Sequence, residues 1–167
     1  IFVPGDMMVM LGSSCYLIYC SDRLVTDPRL WHDTFILPGA FSITGGTNNA
    51  GTLTRWYRDT VFFDKLAQQE EGGRNAYESI LDELEGIPAG SGGLITLPYF
   101  AGERTPINDP QARGVIFGLT LQHTRAHMYK SALEGVGYSI AQHLDIISEH
   151  GQPLTKIMAV GGGTKNK

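Results

Sequence analysis

The chain has 167 residues, a net charge of −4, 42% hydrophobic residues and 18% charged residues. This length and composition fit one globular domain with a buried core, and they exclude a disordered chain. A net negative charge without any run of Lys or Arg argues against nucleic-acid binding, and the longest apolar runs are too short to span a bilayer.

The beginning of the chain is predicted to form strands. Met7–Leu11 and Cys15–Cys20 are β-prone runs separated by Gly12-Ser13-Ser14, which predicts a hairpin with a tight polar turn. The polar stretch 21–34 is predicted to be a connection. Phe35–Ile43 is interrupted by a Pro-Gly pair and is expected to form two short strands or a strand with a turn.

The two cysteines, Cys15 and Cys20, lie five positions apart in the second of these runs. Odd spacing places them on opposite faces of a strand, which argues against a disulfide or a shared metal site. A reducing, cytoplasmic setting is the simpler prediction.

Helical periodicity follows. Thr44–Asn49 is predicted to be a turn, and either of its two asparagines is expected to cap a helix over about 50–65. A second helix is predicted near Asn75–Glu85. Gly86–Gly93 is predicted to be a loop, and Leu94–Leu97 is predicted to be a buried strand.

The last part of the chain combines a long loop with a long helix. Phe100–Arg113 is predicted to be irregular, and Thr124–Glu149 carries a continuous apolar stripe that predicts a helix ending near Gly151. Lys156–Val160 is a predicted strand that leads into Gly161-Gly162-Gly163. Strands alternating with helices, plus one early hairpin, predict an α/β layered domain.

Three glycine-containing turns are candidates to bind an anion. Gly12-Ser13-Ser14 offers hydroxyls and backbone amides. The three glycines at 161–163 follow an apolar strand, and ordering them costs more conformational entropy than ordering other residues. Gly51 begins a helix, and Arg55 lies one turn inside it. Each also has a simpler interpretation, as a hairpin turn, a flexible connection and a helix cap. The glycine triplet favours contact with a nucleotide.

Other polar residues give weaker signals. His123 and His127 share a helix face, but a metal site needs a third ligand, so they are interpreted as packing or solvent-facing residues. Asp6 follows a glycine and is interpreted as part of a turn.

Four stretches in order resemble segments of the FGGY family of carbohydrate kinases, and together they cover nearly the whole chain. Leu11–Ser14 resembles the family's Leu-Gly-Thr-Ser phosphate turn, with Ser13 in place of the threonine. Gly45–Asp59 is similar to its Gly-Gly-x-x-Asn-Asn-Gly-Gly segment, with Ala50 in place of one glycine.

The other two stretches carry the family signature and its adenosine loop. Gly102–Gly114 resembles the loop that precedes the signature, and the signature itself fits from Gly114 through Glu134. Gly161–Lys165 is similar to the adenosine loop, where Ala commonly stands at Thr164 and Ser at Asn166. The xylulokinase-like pentulose kinases are the most similar members.

The resemblance implies an α/β fold of the actin-like ATPase (ribonuclease H-like) type, with a mixed sheet flanked by helices. Residues 1–167 would be most of the C-terminal, ATP-binding domain of a two-domain kinase, cut at both ends. The implied reaction transfers the γ-phosphate of ATP, with Mg²⁺, to a sugar hydroxyl, and a ketopentose such as xylulose is the expected acceptor. The N-terminal domain of the same kinase is the implied partner, and a homodimer stays open.

Eight residues are implied to contact ATP: Gly12, Ser13, Ser14, Gly51, Arg55, Gly162, Gly163 and Thr164. The turn at 12–14 would hold the β- and γ-phosphates, and the turn at 162–164 would border the adenosine.

The resemblance also implies a general base, which in the family is an Asp in a Gly-x-x-Asp segment upstream of the phosphate turn. No residue of the chain occupies that place, because Asp6 is too close to the turn. The general-base Asp is therefore expected upstream of Ile1, and no catalytic residue and no metal ligand are assigned within the chain.

Two alternatives stay open at this point. One is a non-catalytic actin-like domain that binds a nucleotide as a sensor or scaffold. The other is a structural or interaction domain whose glycine loops are only turns.

Overall fold

A computed structural model describes residues 3–165 of the chain. The strands are β1 Asp6–Leu11, β2 Cys15–Ser21, β3 Trp31–Thr34, β4 Phe41–Thr47, β5 Ile95–Leu97, β6 Val115–Phe117 and β7 Lys156–Val160. The α-helices are α1 Gly51–Thr60, α2 Phe63–Glu70, α3 Ala76–Asp82 and α4 Arg125–Glu149, and 3-10 turns span Ser91–Gly93 and Gly162–Lys165. Within these residues, no helix is both long and apolar enough to cross a membrane.

Five strands form a mixed sheet in the order β3-β4-β2-β1-β7. The predicted hairpin is confirmed, since β1 pairs with β2 antiparallel from Met7–Tyr19 to Leu11–Cys15. β2 is also antiparallel to β4, whereas β1 is parallel to β7. As a result β1, β4 and β7 run in the same direction, and their carboxyl ends lie at one edge of the sheet.

Helices α1 and α4 pack on one face of this sheet. Alternate strand positions supply the buried side chains of that face: Met7, Val9, Leu17, Tyr19 and Ile43. The helical side chains in the same core include Leu53, Tyr57, Tyr129, Ala132 and Val136. On the opposite face, Met10, Trp31 and Val160 keep 42%, 40% and 38% of their surface exposed. The described helices therefore cover the sheet on one side.

Helix α4 agrees closely with its prediction. Thr124 is the N-cap and forms a capping box with His127. At the other end, Gly151 has a φ of +65° and donates its amide to the Ser148 carbonyl, which closes the last turn.

The helix expected over 50–65 is in fact two helices, α1 and α2. The chain turns at Phe62, whose ring is fully buried, packs edge-on against Tyr129 and lies 4.5 Å from the guanidinium carbon of Arg125. Burying this ring under α4 requires a change of direction, which the apolar periodicity does not reveal.

Three strand predictions are also corrected. The polar connection 21–34 contains β3, an exposed strand at the sheet edge. β4 continues to Thr47, so two glycines expected in a turn lie in a strand, where a Cβ at Gly46 would approach the Cys15 carbonyl oxygen within 2.3 Å. The strand predicted to be buried at 94–97 is buried on one face only, since Leu94 and Thr96 are each 3% exposed whereas Ile95 is 52% exposed.

Candidate functional site

Three turns lie close together at the carboxyl ends of β1, β4 and β7, namely residues 12–14, 48–50 and 161–163. The closest approach joins the turn after β7 to the end of β1. A Cβ on Gly161, which has a φ of +102°, would lie 2.5 Å from the Leu11 carbonyl oxygen, and a Cβ on Gly163 would lie 2.8 Å from the Leu11 Cβ. Glycine is needed here because the two backbones touch.

The hairpin turn at 12–14 is bonded to the start of α1 through its carbonyl groups. The Gly51 amide donates to the Gly12 oxygen at 2.9 Å, and the Ser13 oxygen accepts from the amides of Ala50 at 3.2 Å and Thr52 at 2.9 Å. A Cβ on Gly51 would lie 2.6 Å from the Gly12 oxygen, so this approach also requires glycine. The amides of Gly51 and Thr52 at the start of α1 are therefore occupied by the turn and are not free to bind an anion, which corrects that interpretation of the helix start.

The amides of the same turn are left without partners. Among the bonds of residues 3–165, neither the amide nor the hydroxyl of Ser13 or Ser14 donates to any group, while the Ser14 carbonyl accepts from the Gly12 amide. In a trans peptide the N–H points opposite to the C=O. Because the carbonyls of Gly12 and Ser13 face α1, the next amides face away from it. Two consecutive outward N–H groups form an anion-binding arrangement.

A cavity of about 560 Å³ opens beside this turn. The residues that line it come from the three turns and from one face of α1, α3 and α4: Leu11, Gly12, Ser13, Ala50, Gly51, Thr54, Arg55, Tyr77, Leu133, Val136, Gly137, Ile140, Gly162 and Gly163. The turns supply backbone polar groups, whereas α4 supplies an aliphatic wall. The backbone polar groups suit a phosphate, and the aliphatic wall suits a flat apolar ring.

The cavity collects six of the eight residues expected to contact ATP. Ser14 is adjacent to the lining but is not part of it. Thr164 is also outside, and its Oγ1 donates to the Gly161 carbonyl at 2.8 Å, which stabilises the 3-10 turn. Arg55 is exposed at the cavity, and no carboxylate within residues 3–165 pairs with it. Asn166 lies outside the described residues.

The general base expected upstream of Ile1 stays a prediction. Ile1 itself lies outside the described residues, which begin at Val3. The first carboxylate that the structure describes, Asp6, is at the end of β1 far from the 12–14 turn, and it accepts from the Thr155 hydroxyl and the Val3 amide. Asp6 therefore belongs to local structure and does not take the place of the base.

Sequence reasoning misses the α4 wall of the cavity. Leu133, Val136 and Ile140 belong to the helix's apolar stripe, and helical spacing alone does not distinguish a core contact from a cavity wall. Gly137 carries the better signal, because a mid-helix glycine costs about 1 kcal/mol relative to alanine. A Cβ at this position would meet no atom within 4 Å.

The two asparagines before α1 do not cap it, since the N-cap is Ala50. Their side-chain amides instead bond the long loop, Asn48 to the Ala101 carbonyl at 3.1 Å and Asn49 to the Gly102 carbonyl at 3.2 Å. The loop at 100–113 therefore braces the β4–α1 connection.

A buried chain of hydrogen bonds joins this loop to α4. The Gly46 amide donates to the Thr105 hydroxyl at 2.7 Å, which lies 3.0 Å from His143 Nε2. His143 Nδ1 lies 2.6 Å from the Ser139 carbonyl and must donate to it, so Nε2 is the acceptor. Burial lowers the pKa of His143, although its contacts with Ser139 and Glu103 oppose the shift.

Both cysteines are buried and unpaired, and they occupy opposite faces of β2 as predicted. Burial, together with the Glu103 charge, raises the pKa of Cys15 to about 11. The thiol is therefore protonated near neutral pH and is not a nucleophile.

The two histidines at the start of α4 belong to local structure, since His123 and His127 accept backbone amides there. Across residues 3–165 there is no group of three or more His, Cys, Asp or Glu that could hold a metal ion.

Comparison with known proteins matches nearly the whole chain. The family model described as the FGGY family of carbohydrate kinases, C-terminal domain, matches residues 7–167. The chain is 32% identical over 165 residues to a gluconokinase of Bacillus subtilis, covering 98% of this chain and 32% of the relative. It is 32% identical over 159 residues to a xylulose kinase of Staphylococcus epidermidis, covering 94% of this chain and 30% of the relative.

The crystal structure of xylulose kinase from Rhodospirillum rubrum aligns with a TM-score of 0.85 at 30% identity, covering 100% of this chain and 32% of that one. The chain thus spans about a third of the length of the relatives it matches. The predicted α/β fold of the actin-like ATPase type is confirmed by this likeness. With its fold, its motifs and its family match in agreement, the chain belongs to the FGGY family of carbohydrate kinases, as a C-terminal domain.

Proposed function

We propose that this chain is the ATP-binding part of a sugar kinase that transfers the γ-phosphate of ATP to a sugar hydroxyl. The observation that carries the proposal is the pair of unpartnered amides at Ser13 and Ser14, beside a cavity walled by three converging turns. The carbonyls of Gly12 and Ser13 face α1, so the N–H groups of Ser13 and Ser14 face away from it, an arrangement suited to phosphate oxygens.

The residues of the cavity divide between the two ends of a nucleotide. The 12–14 turn would hold the β- and γ-phosphates, and Arg55 would add a positive charge near them. The base would lie against the aliphatic wall of α4, with Gly162 and Gly163 admitting the adenosine close to the backbone. When bound, Mg-ATP supplies the phosphoryl group, and the protein's task is to position it.

The sugar is proposed to be a ketopentose such as xylulose. Support comes from the resemblance to pentulose kinases and from the relatives and the solved structure named xylulose kinase. A gluconokinase is equally similar, so gluconate is the competing acceptor. Steady-state kinetics of the full-length kinase with both sugars decides between them, and phosphorylation of gluconate alone would contradict the proposal.

The general base is proposed to be an Asp upstream of Ile1, because no residue of the chain matches the family's catalytic Asp. Most sugar contacts are proposed to lie in the N-terminal domain that the family resemblance implies. We therefore expect residues 1–167 alone to bind nucleotide weakly and to phosphorylate no sugar. A full-length protein that binds ATP but transfers no phosphate to any sugar would instead favour the non-catalytic nucleotide sensor.

Titration calorimetry with Mg-ADP and Mg-ATP tests the site directly. Ser13→Ala removes a phosphate-side hydroxyl, and Gly163→Asp places a bulky negative charge against the Leu11 side chain in the cavity lining. Both changes should weaken binding, the second by at least about tenfold because it combines steric and charge conflict. Ser148→Ala, on the exposed far end of α4, is the matched control. Binding that is indifferent to both site variants would show that the site is misplaced.

A further inference from the structure

We infer that Thr52 is a positioning residue for the phosphate turn at 12–14, an inference that rests on the proposed nucleotide site. Its Oγ1 donates to the Ser13 carbonyl oxygen at 3.0 Å, and its own amide donates to the same oxygen at 2.9 Å. The Ala50 amide reaches this oxygen as well, at 3.2 Å. One carbonyl group thus receives three donors from the start of a single helix.

These bonds fix the orientation of the peptide that joins Ser13 to Ser14. A carbonyl held by three donors cannot rotate without breaking them, and the planar trans peptide carries its N–H in the opposite direction. The Ser14 amide is therefore held pointing away from α1. The bond from the Gly51 amide to the Gly12 oxygen fixes the preceding peptide, and with it the Ser13 amide, in the same way.

The same bonds transmit the field of the helix. The amides at the start of α1 carry the partial positive charge of the helix dipole. Because they donate to the turn's carbonyls, they polarise those peptide units, and the outward N–H groups of Ser13 and Ser14 become stronger donors. Helix α1 therefore acts on an anion through the turn, not through its own amides.

The Thr52 hydroxyl has a second possible hydrogen-bond acceptor among the described residues. The Asn48 carbonyl, four residues earlier, lies 3.4 Å from Oγ1, and such a bond would serve α1 alone. The hydroxyl has one proton, and the Ser13 oxygen is the closer acceptor. If the hydroxyl served only α1, its loss would lower stability without affecting the turn.

The test compares Thr52→Val, which keeps the shape and removes the hydroxyl, with Thr52→Ser, which restores it. Thr60→Val makes the same chemical change on the exposed last residue of α1 and is the control. In ¹⁵N-labelled protein without nucleotide, we expect the amide resonance of Ser14 to move in Thr52→Val only, and to move more than that of Ser13, whose peptide is held by Gly51. Mg-ATP affinity should fall roughly 2- to 10-fold, the equivalent of one neutral hydrogen bond, while adenosine affinity stays unchanged.

The outcomes separate this inference from the proposed function. An unmoved Ser14 amide, or equal weakening of Mg-ATP and adenosine, would overturn the positioning role. Failure of Thr52→Ser to restore affinity would also count against it. Absence of Mg-ATP binding by the unmodified chain and by the full-length kinase would overturn the proposed function itself.

Discussion

At the scale of single residues, two glycines of the site differ in whether a side chain would fit there. Gly51 touches the hairpin turn so closely that its Cβ would lie 2.6 Å from a carbonyl oxygen. Gly137 faces the open cavity, where its Cβ would touch nothing within 4 Å. Both are glycines in helices, yet only the first is required by packing.

Alanine at these two positions should change stability in opposite directions. Gly137→Ala is expected to stabilise the fold by about 0.5–1 kcal/mol, because alanine is the better helix former. Gly51→Ala is expected to destabilise it by about 1–3 kcal/mol, because the added methyl group pushes the turn away from α1. Urea unfolding measures both free energies. Equal effects of the two changes would show that the approach at Gly51 is not tight.

The buried His143 should make stability depend on pH. Its folded pKa lies below the ordinary value because burial opposes the charged ring. The unfolded state therefore binds more protons as the pH falls below about 6.5, and the free energy of unfolding should decrease in the same direction. His143→Gln should flatten this slope, measured by urea unfolding on both sides of about pH 6.5, whereas Ser148→Ala on the exposed end of α4 should leave it unchanged. An unchanged slope in His143→Gln would contradict the assignment.

At the scale of elements, one arginine connects three helices. At the start of α4, Arg125 bonds Asp64 in α2 at 2.6 Å and Glu83 just after α3 at 2.6 Å. Its guanidinium also covers the ring of Phe62 at the α1–α2 break. The planar fork of arginine suits these contacts, which a lysine cannot reproduce.

Arg125→Lys is therefore expected to cost about 1–2 kcal/mol of stability, because the bidentate bonds and the stacking are lost. Arg74→Lys is the matched control. Arg74 bonds Glu78 and Asp82, but its side chain is 58% exposed, so its replacement should change stability much less than Arg125→Lys does. Thermal unfolding measures both, and similar shifts in the two variants would refute the special role of Arg125.

The sequence predicts the elements that have strong local signals. The β1–β2 hairpin, α4 and β7 are predictable because alternation, helical spacing and a cap lie within a few residues. The break at Phe62 and the extension of β4 through two glycines depend on contacts with distant residues, Tyr129 and Cys15. The long-range contacts that decide these features leave no local pattern.

The candidate site is only partly readable for the same reason. Glycines at 12, 51 and 161–163 stand out in the sequence as glycine-containing turns, and motif resemblance adds their order. Close contact with residues 11 and 12 requires glycine at 51, 161 and 163. The apolar wall on α4 looks like core in the sequence, and the roles of Asn48 and Asn49 as braces look like helix caps. For each of these residues the sequence is compatible with two structural roles, and only the folded structure shows which role the residue has.

At the scale of the whole molecule, one face of the sheet lies outside the cover of the described helices. Met10, Trp31 and Val160 are each partly exposed there, on β1, β3 and β7. Apolar surface of this kind promotes association. In the longer relatives, which extend well beyond this match, further chain is available to cover such a face.

The isolated chain of 167 residues is therefore expected to self-associate as its concentration rises. A Met10→Lys, Val160→Lys double variant should remain monomeric, because two charges interrupt the apolar face. Ile36→Lys, in the loop between β3 and β4, changes an 89% exposed side chain away from the sheet and serves as control. Sedimentation velocity measures the effect, and association that persists in the double variant would point to another surface.

The parallel pairing of β1 with β7 affects when the sheet can form during synthesis of the protein. Strands that begin at Asp6 and Lys156 are direct neighbours, so the whole stretch between them must leave the ribosome before they can meet. Contacts so distant in sequence form slowly because a long loop must close first. Until then the crevice lacks one wall, and a nascent chain would be unable to capture a nucleotide. The ability to bind a ligand in the cavity would therefore appear only after β7 has joined the sheet.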